Sequence, residues 1–265
     1  MDVPDDPADD SADDAALAAS LVRTAGDLAA RMLADGLRVE HKTSITDVVS
    51  AADRAAEDLI VQRLRAERPG DGIVGEEGAA RPGARTWYLD PVDGTYNFLA
   101  GLPTWCCALA LTDPGGAVLG AVYQPTTGEL WLGGRGRPTT RNGAALPPLR
   151  DRPLAQLSLA SYLHPDRLDD PDLREPWLAV LRASATLRVL GSGSVELAAV
   201  AAGRLGVFAQ LDCPAWDWLP GEALVRAVGG GSAVFELRGH TWYVAGPPSA
   251  VADVRRHAMA AAGRS

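Results

Sequence analysis

Cysteine is scarce in this chain: its 265 residues include three, Cys106, Cys107 and Cys213. They form no metal-ligand or redox pattern, and an adjacent pair inside an apolar run reads as reduced, buried small hydrophobes. Also missing are an opening n-region and h-region, and no uninterrupted apolar stretch is long enough to span a bilayer. The expectation is a soluble cytoplasmic protein with no membrane partner. There is no basic surplus either. The formal net charge is −9, and seven of the first fourteen residues are Asp. Without that segment the body is close to neutral, which argues against a nucleic-acid partner. Residues 1–14, poor in large apolar side chains, read as a disordered acidic leader. No internal repeat is visible.

What is present suits a globular chain. Hydrophobic residues make up 47% and charged residues 22%, enough for a substantial core in one large domain or two packed halves. From Ala15 to Ala34, Leu17, Leu21, Leu28 and Met32 share one helical face, and Gly36 ends that helix. A polar loop from Lys42 leads into a second helix, Ala51 to Glu67, which stops before Pro69-Gly70. Gly72 to Gly75 is a short strand. Cys106 to Leu111, Ala117 to Tyr123 and Glu129 to Leu132 alternate with turn residues as an antiparallel meander, and Arg141-Asn142-Gly143 marks a hairpin. Arg150 to Pro153 divides an N-terminal half, 15–150, from a C-terminal half, 151–265. The second half alternates in type. Gly191-Ser-Gly-Ser194 opens one of its helices, and Asp217 heads another that ends at Gly229-Gly230-Gly231. A meander followed by alternation predicts layered α and β, an α+β or α/β arrangement rather than a simple doubly wound sheet.

The chemistry concentrates in Trp87-Tyr88-Leu89-Asp90-Pro91-Val92-Asp93-Gly94-Thr95-Tyr96-Asn97-Phe98. Its first residues read as a buried strand. Pro91 removes a backbone donor and fixes φ, so regular sheet is expected to stop between the two acids. Carboxylates at a rigid strand end are well placed to hold a hard cation. Further acids that can converge there are Glu76, beside Glu77 at the end of the preceding strand, and Asp217, between Trp216 and Trp218. Glu76, Asp90, Asp93 and Asp217 with a backbone carbonyl make an all-oxygen set, suited to Mg²⁺ or Mn²⁺ and not to Zn²⁺. Such acids repel one another unless cations neutralise them, and a pair of ions clamps a phosphate and activates water. Gly94 lets the backbone approach, and Thr95 offers an N–H and a hydroxyl. Each acid also has a local reading. Asp53, in Ser50-x-x-Asp53, resembles a capping-box carboxylate, Asp47 a turn residue, Glu76-Glu77 a solvated pair, and Asp217 an N-cap.

Asp90-Pro-Val-Asp93-Gly-Thr95-Tyr-Asn97-Phe98, with Gly75-Glu76-Glu77 before it and Trp216-Asp217-Trp-Leu-Pro-Gly221…Val228-Gly229-Gly230 after it, resembles the inositol monophosphatase family. The match runs from about Lys42 to Gly230 with the blocks in the family's order. The resemblance implies a layered α-β-α-β-α sandwich related to fructose-1,6-bisphosphatase, a homodimer and a Mg²⁺-dependent phosphatase with two or three ions, Mn²⁺ being a substitute. It implies that Glu76, Asp90 and the Val92 carbonyl bind the first metal, and Asp90, Asp93 and Asp217 the second. Thr95, its hydroxyl held by Asp53, then orients water, and the Gly94 and Thr95 amides bind phosphate. Asp47 becomes structural, and Lys42 matches a basic residue near the metals. Substrate contacts fall on Asp93, Gly193 and Gln210. Position 210 lies seven residues before Asp217, where relatives acting on inositol phosphates carry a carboxylate. Glutamine there can still hydrogen-bond a polyol, or can suit another ligand. The implied partner is a small phosphorylated metabolite, by default inositol 1-phosphate. Histidinol phosphate, 3′-phosphoadenosine 5′-phosphate and fructose 1,6-bisphosphate are the alternatives, and a catalytically silent metal- or metabolite-binding relative is the reading from another class.

Overall fold

A computed structural model describes the backbone of residues 7–35, 39–41 and 48–263, and the side chains of 13–35 and 51–263. Lys42 and Asp47 lie outside the described residues. Helices α1 (Pro7–Ala34) and α2 (Ala51–Glu67) come first, with a two-stranded ribbon between them, β1 (Val39–His41) against β2 (Val48–Ser50). The next strands are β3 (Gly72–Gly75), β4 (Ala80–Arg81), β5 (Thr86–Asp93), β6 (Cys106–Asp113), β7 (Gly116–Gln124), β8 (Glu129–Gly134), β9 (Arg137–Arg141) and β10 (Ala144–Ala145), with the short helix α3 (Thr95–Leu99) after β5. They form one eight-stranded sheet in the order β10-β9-β8-β7-β6-β5-β3-β4. Only the β3–β5 pair in it is parallel.

A five-stranded sheet follows, in the order β12-β11-β13-β15-β14. Its strands are β11 (Ser158–Ala160), β12 (Thr186–Arg188), β13 (Val207–Leu211), β14 (Gly231–Leu237) and β15 (His240–Gly246). Helices α4 (Pro171–Ala183), α5 (Gly193–Ala201), α6 (Ala215–Ala227) and α7 (Pro248–Ala262) complete the chain.

Alternation along β6 shows how the layers are made. Cys107, Leu109 and Leu111 enter one core with α1 and α2, while Cys106 and Ala108 enter another with α5 and α6. The period of two sends successive side chains to opposite faces, so both faces of the large sheet are dry. Beyond α5 and α6 lies the small sheet, and its far side packs on α4 and α7. The order is therefore α-β-α-β-α. The middle layer sits very close to the large sheet. A Cβ on Gly120 would fall 2.1 Å from the Pro220 carbonyl oxygen, and one on Gly221 would fall 2.2 Å from Leu197 Cβ. Glycine at both places lets α6 wedge between β7 and α5, which sets the position of Asp217.

Three expectations need correction. The acidic leader does not extend to residue 14: α1 begins at Pro7, and Asp14 is 4% exposed. Asp14 takes the Arg68 Nε at 2.7 Å and also pairs with Arg85, so ion pairing to α2's end and the β5 approach orders this part of the segment. The buried face of α1 runs through Leu17, Leu21, Ala25 and Ala29, with Leu28 and Met32 only half-buried. Finally, β5 does not stop at Pro91. It runs to Asp93 by shifting register: Asp90 pairs with Ala108 and Asp93 with Cys106, one extra residue on the β5 side. A bulge leaves one position unpaired, which accommodates a residue without an N–H. All three cysteines are free and buried, and among the described residues no helix is long and apolar enough to cross a membrane.

Candidate active site

The bulge aims both acids of β5 inward. Asp90 is 2% and Asp93 6% exposed. Asp90 accepts the Val92 N–H at 3.0 Å, a local turn that fixes its carboxylate. Gly94 then takes φ 98°, a left-handed conformation that reverses the chain into α3. A side chain there would be strained, and its Cβ would stand 3.0 Å from the Thr104 carbonyl oxygen. The Thr95 hydroxyl donates to the Val92 carbonyl at 3.1 Å. The turn into α3 places that carbonyl three residues back, within the hydroxyl's reach. Asp53 is 3% exposed in the first turn of α2 and stands near enough to raise the pKa of Glu76.

Asp93 is held across the layers. Its Oδ1 accepts the Gly193 N–H at 3.2 Å and its Oδ2 the Ser194 N–H at 2.6 Å. These are the first N–H groups of α5, whose dipole favours an anion at that end. Gly193 thus reaches Asp93 through its backbone. Asp217 lies in the first turn of α6, two residues inside a helix that begins at Ala215, so it is not the N-cap. Trp218 beside it is 3% exposed, and Trp216 is half-buried.

The four acids are electrostatically one group. Asp90 shares side-chain hydrogen bonds with Glu76 and with Asp217. Burial, then repulsion from Glu76, Asp93 and Asp217, pushes Asp90 well above the usual carboxylate range. Asp217 rises well above it for the same reasons, burial first and then repulsion from Asp93 and Glu76. Asp93 is raised by burial, although the α5 N–H groups oppose the rise. Glu76 is lifted to about 7 by desolvation first, then by repulsion from Asp53, Glu77 and Asp93, with the Asp90 hydrogen bond opposing. As a residue Glu76 still faces solvent; the crowding is at its carboxyl, where the group opens outward. Among the described residues, no arginine, lysine or histidine forms an ion pair with any of the four. Nor do three of them already stand as a closed metal cage. Asp93 faces amides, and all four carboxyls are raised by burial and by one another. Hard cations fit this all-oxygen donor set, because they would offset the repulsion among its carboxylates.

Three positioning residues were given no role from the sequence. Asn97 Nδ2 donates to the Thr104 carbonyl at 2.6 Å and the Leu190 carbonyl at 2.7 Å, tying the α3 turn to the loop before α5. Glu57, 5% exposed, accepts the Glu77 N–H and the Ala79 N–H, each at 2.9 Å, and so shapes the turn that carries Glu76. Glu196, 4% exposed, accepts the Leu190 N–H at 2.6 Å, and burial lifts its pKa to about 7. Asn97 belongs to the motif, and spacing from it was the available clue. The two glutamates sit on helices among small residues, and their backbone partners are loops that sequence does not place.

Beside Asp93 and Asp217 a cavity of about 360 Å³ opens between the layers, lined also by Tyr96, Tyr162, Gly193 and Gln210.

Comparison with known proteins agrees. The inositol monophosphatase family model matches residues 10–262. An inositol-1-monophosphatase of Rhizobium meliloti is 38% identical over 195 residues, 70% of this chain and 71% of that protein. A fructose-1,6-bisphosphatase/inositol-1-monophosphatase of Thermotoga maritima is 32% identical over 195 residues, 72% of this chain and 73% of its own. Among solved structures, the extragenic suppressor protein suhB of Bartonella henselae superposes with a TM-score of 0.81 at 28% identity, covering 91% of this chain and 96% of that one. With its five layers, its buried acids and a family match over nearly its whole length, the chain belongs to the inositol monophosphatase family and is a phosphatase of phosphate monoesters.

Proposed function

We propose that the protein is a Mg²⁺-dependent phosphomonoesterase acting on a small polyol or sugar phosphate, inositol 1-phosphate first, by direct in-line attack of water. The observation that carries this reading is the convergence of Glu76, Asp90, Asp93 and Asp217 with no ion-paired partner among the described residues. Glu76, Asp90 and the Val92 carbonyl would hold one cation and Asp90, Asp93 and Asp217 a second, with a weaker third beside Glu76; Mn²⁺ would substitute. When bound, such ions acidify water and stabilise charge on the phosphoryl and leaving oxygens. The chain's own groups do the aiming. Asp93 is oriented by two α5 amides, so its carboxylate faces the cavity in one pose. The Thr95 hydroxyl, donating its hydrogen bond to the Val92 carbonyl, keeps lone pairs to accept a hydrogen bond from the attacking water and so orient it. Asp53 supports it from α2. The turn at Gly94 presents the Gly94 and Thr95 amides to the phosphate. A homodimer and a cytoplasmic setting complete the reading, which light scattering of the purified protein tests for assembly.

The name of the Thermotoga maritima relative joins two substrates, which supports a broader second reading. Histidinol phosphate, 3′-phosphoadenosine 5′-phosphate and fructose 1,6-bisphosphate are its members. Assay of inositol, histidinol, adenosine and fructose phosphates with and without Mg²⁺ decides. Release of phosphate that needs Mg²⁺ and is fastest from inositol 1-phosphate is expected. No Mg²⁺-dependent release from any ester would sink the proposal.

A further inference from the structure

A second cavity, of about 440 Å³, lies between the β6–β7 turn, the β8–β9 turn and the last turn of α6. It shares no lining residue with the cavity beside Asp93 and Asp217. Its floor is mostly glycine and alanine. The long side chains that line it are Arg135, Arg137 and Arg226, and no acid does. Two carboxylates stand behind the arginines. Asp113 takes both ends of the Arg135 guanidinium, at 2.7 and 3.1 Å, and this pairing holds its carboxyl below the usual range. Arg135 is thereby laid across Gly115, where an added Cβ would meet Nη2 at 3.1 Å. Glu222 stands 3.6 Å from Arg226, and the same oxygen already accepts the Ser232 hydroxyl at 2.8 Å. The Arg226 side chain is 62% exposed and held only by that loose pair. The face turned to the cavity is therefore cationic, with one fork fixed and another adaptable.

We propose that this cavity is a second binding site, separate from the acidic centre, for a small molecule carrying two or more phosphoryl groups. Guanidinium forks match phosphoryl oxygens two bonds at a time, and arginine keeps its charge at any working pH. A single negative charge is too little. The last turn of α6 borders the cavity, and the partial negative charge of that helix end works against a monoanion. Size points the same way: the volume is that of a metabolite pocket, and a lone phosphate would leave most of it unfilled. Arg226 stands nine residues after Asp217 on α6, roughly 13 Å along the helix. An anion held here would sit apart from the acids, on the element that carries one of them.

Inorganic triphosphate is the probe, titrated by calorimetry into the full chain at low salt. EDTA is present, so no cation draws the probe to the acids and the result does not depend on turnover. One molecule per chain is expected, with Kd below about 1 mM. Inorganic phosphate should bind at least tenfold more weakly. Arg226→Glu is expected to raise Kd for triphosphate at least tenfold, and Arg226→Gln, which removes the charge and keeps a polar end, at least fivefold. Arg65→Glu makes the same charge change at an exposed position of α2 outside the cavity, and should alter Kd less than twofold. Circular dichroism checks the fold of each variant. Absence of saturable binding overturns the proposal. So does a smaller effect of either Arg226 exchange, an equal effect of Arg65→Glu, or phosphate binding as tightly as triphosphate.

Discussion

The acidic centre and the cavity wall beside it are built on opposite principles. In the centre, burial and mutual repulsion raise the pKa of Glu76, Asp90 and Asp217, and they have no ion-pair partner among the described residues. In the wall, the Gln210 amide and the Glu196 carboxylate each already accept a backbone N–H. The first arrangement leaves charge unsatisfied and invites cations. The second is met from within the protein. On the proposed reading, bound charge would fall to the end of β5 and the starts of α5 and α6, and the alcohol to β13 and the loop carrying Tyr162.

The sharpest way to break this contrast is at Asp93, which belongs to both regions. Asp93→Asn keeps the volume but puts an NH₂ where one α5 N–H now donates, and it removes a charge from the centre. Turnover is expected to fall more than tenfold with the circular dichroism spectrum unchanged. A mutant retaining more than a tenth of wild-type turnover would count against the two-cation reading.

A second test uses pH. Glu76 titrates about 7 in the fold against 4.5 for the free group. Between those values the folded protein holds a proton that the unfolded chain has released, so stability falls as pH rises through the window and stays low above it. Mg²⁺ would replace those protons. At pH 8 a concentration about 100 times Kd should stabilise by about 2.7 kcal/mol, or roughly 5–10 °C in Tm at this chain length. At pH 5 the gain should be less than half as large, and chelation should reverse it. Equal gains at both pH values in a melting experiment would remove the link between cations and the crowded acids.

The mildest test is the bridge between the regions. Asn97→Ala strips the Thr104 and Leu190 carbonyls of their donor, and buried acceptors left unmet cost about 1–3 kcal/mol. Denaturant melts should show that loss with an unchanged slope. A change under 0.5 kcal/mol (roughly the scatter for surface substitutions) would mean that the α3 turn and the loop before α5 are held together by other contacts.

How much of this was readable in the sequence depends on where each residue's partners lie. α2 occupies Ala51–Glu67 as its apolar period and the Pro69-Gly70 stop require. The 142–143 hairpin takes the positive φ expected, 50° at Asn142 and 81° at Gly143. That the four acids come near one another was anticipated from the order of the motif blocks, each acid having a local reading of its own. Pro91 misled, because the bulge that absorbs it is defined by Ala108 and Cys106 on the next strand. Asp13 and Asp14 misled as well. Acid-rich composition described them, but Arg68 and Arg85, far along the chain, decide their order. The orientation of the Gln210 amide was beyond reach, since it is set by an N–H 48 residues away.

The two adjacent thiols of β6 carry a practical consequence. Cys107 is sealed in the core under α1 and α2 and Cys106 in the core under α5 and α6, while Cys213 lines the cavity beside Asp93 and Asp217. A thiol reagent can reach either core only when its covering layer lifts. Labelling rates in native buffer therefore clock two separate openings of the molecule. Mass spectrometry of the labelled peptides would tell, without any engineered probe, which layer breathes first.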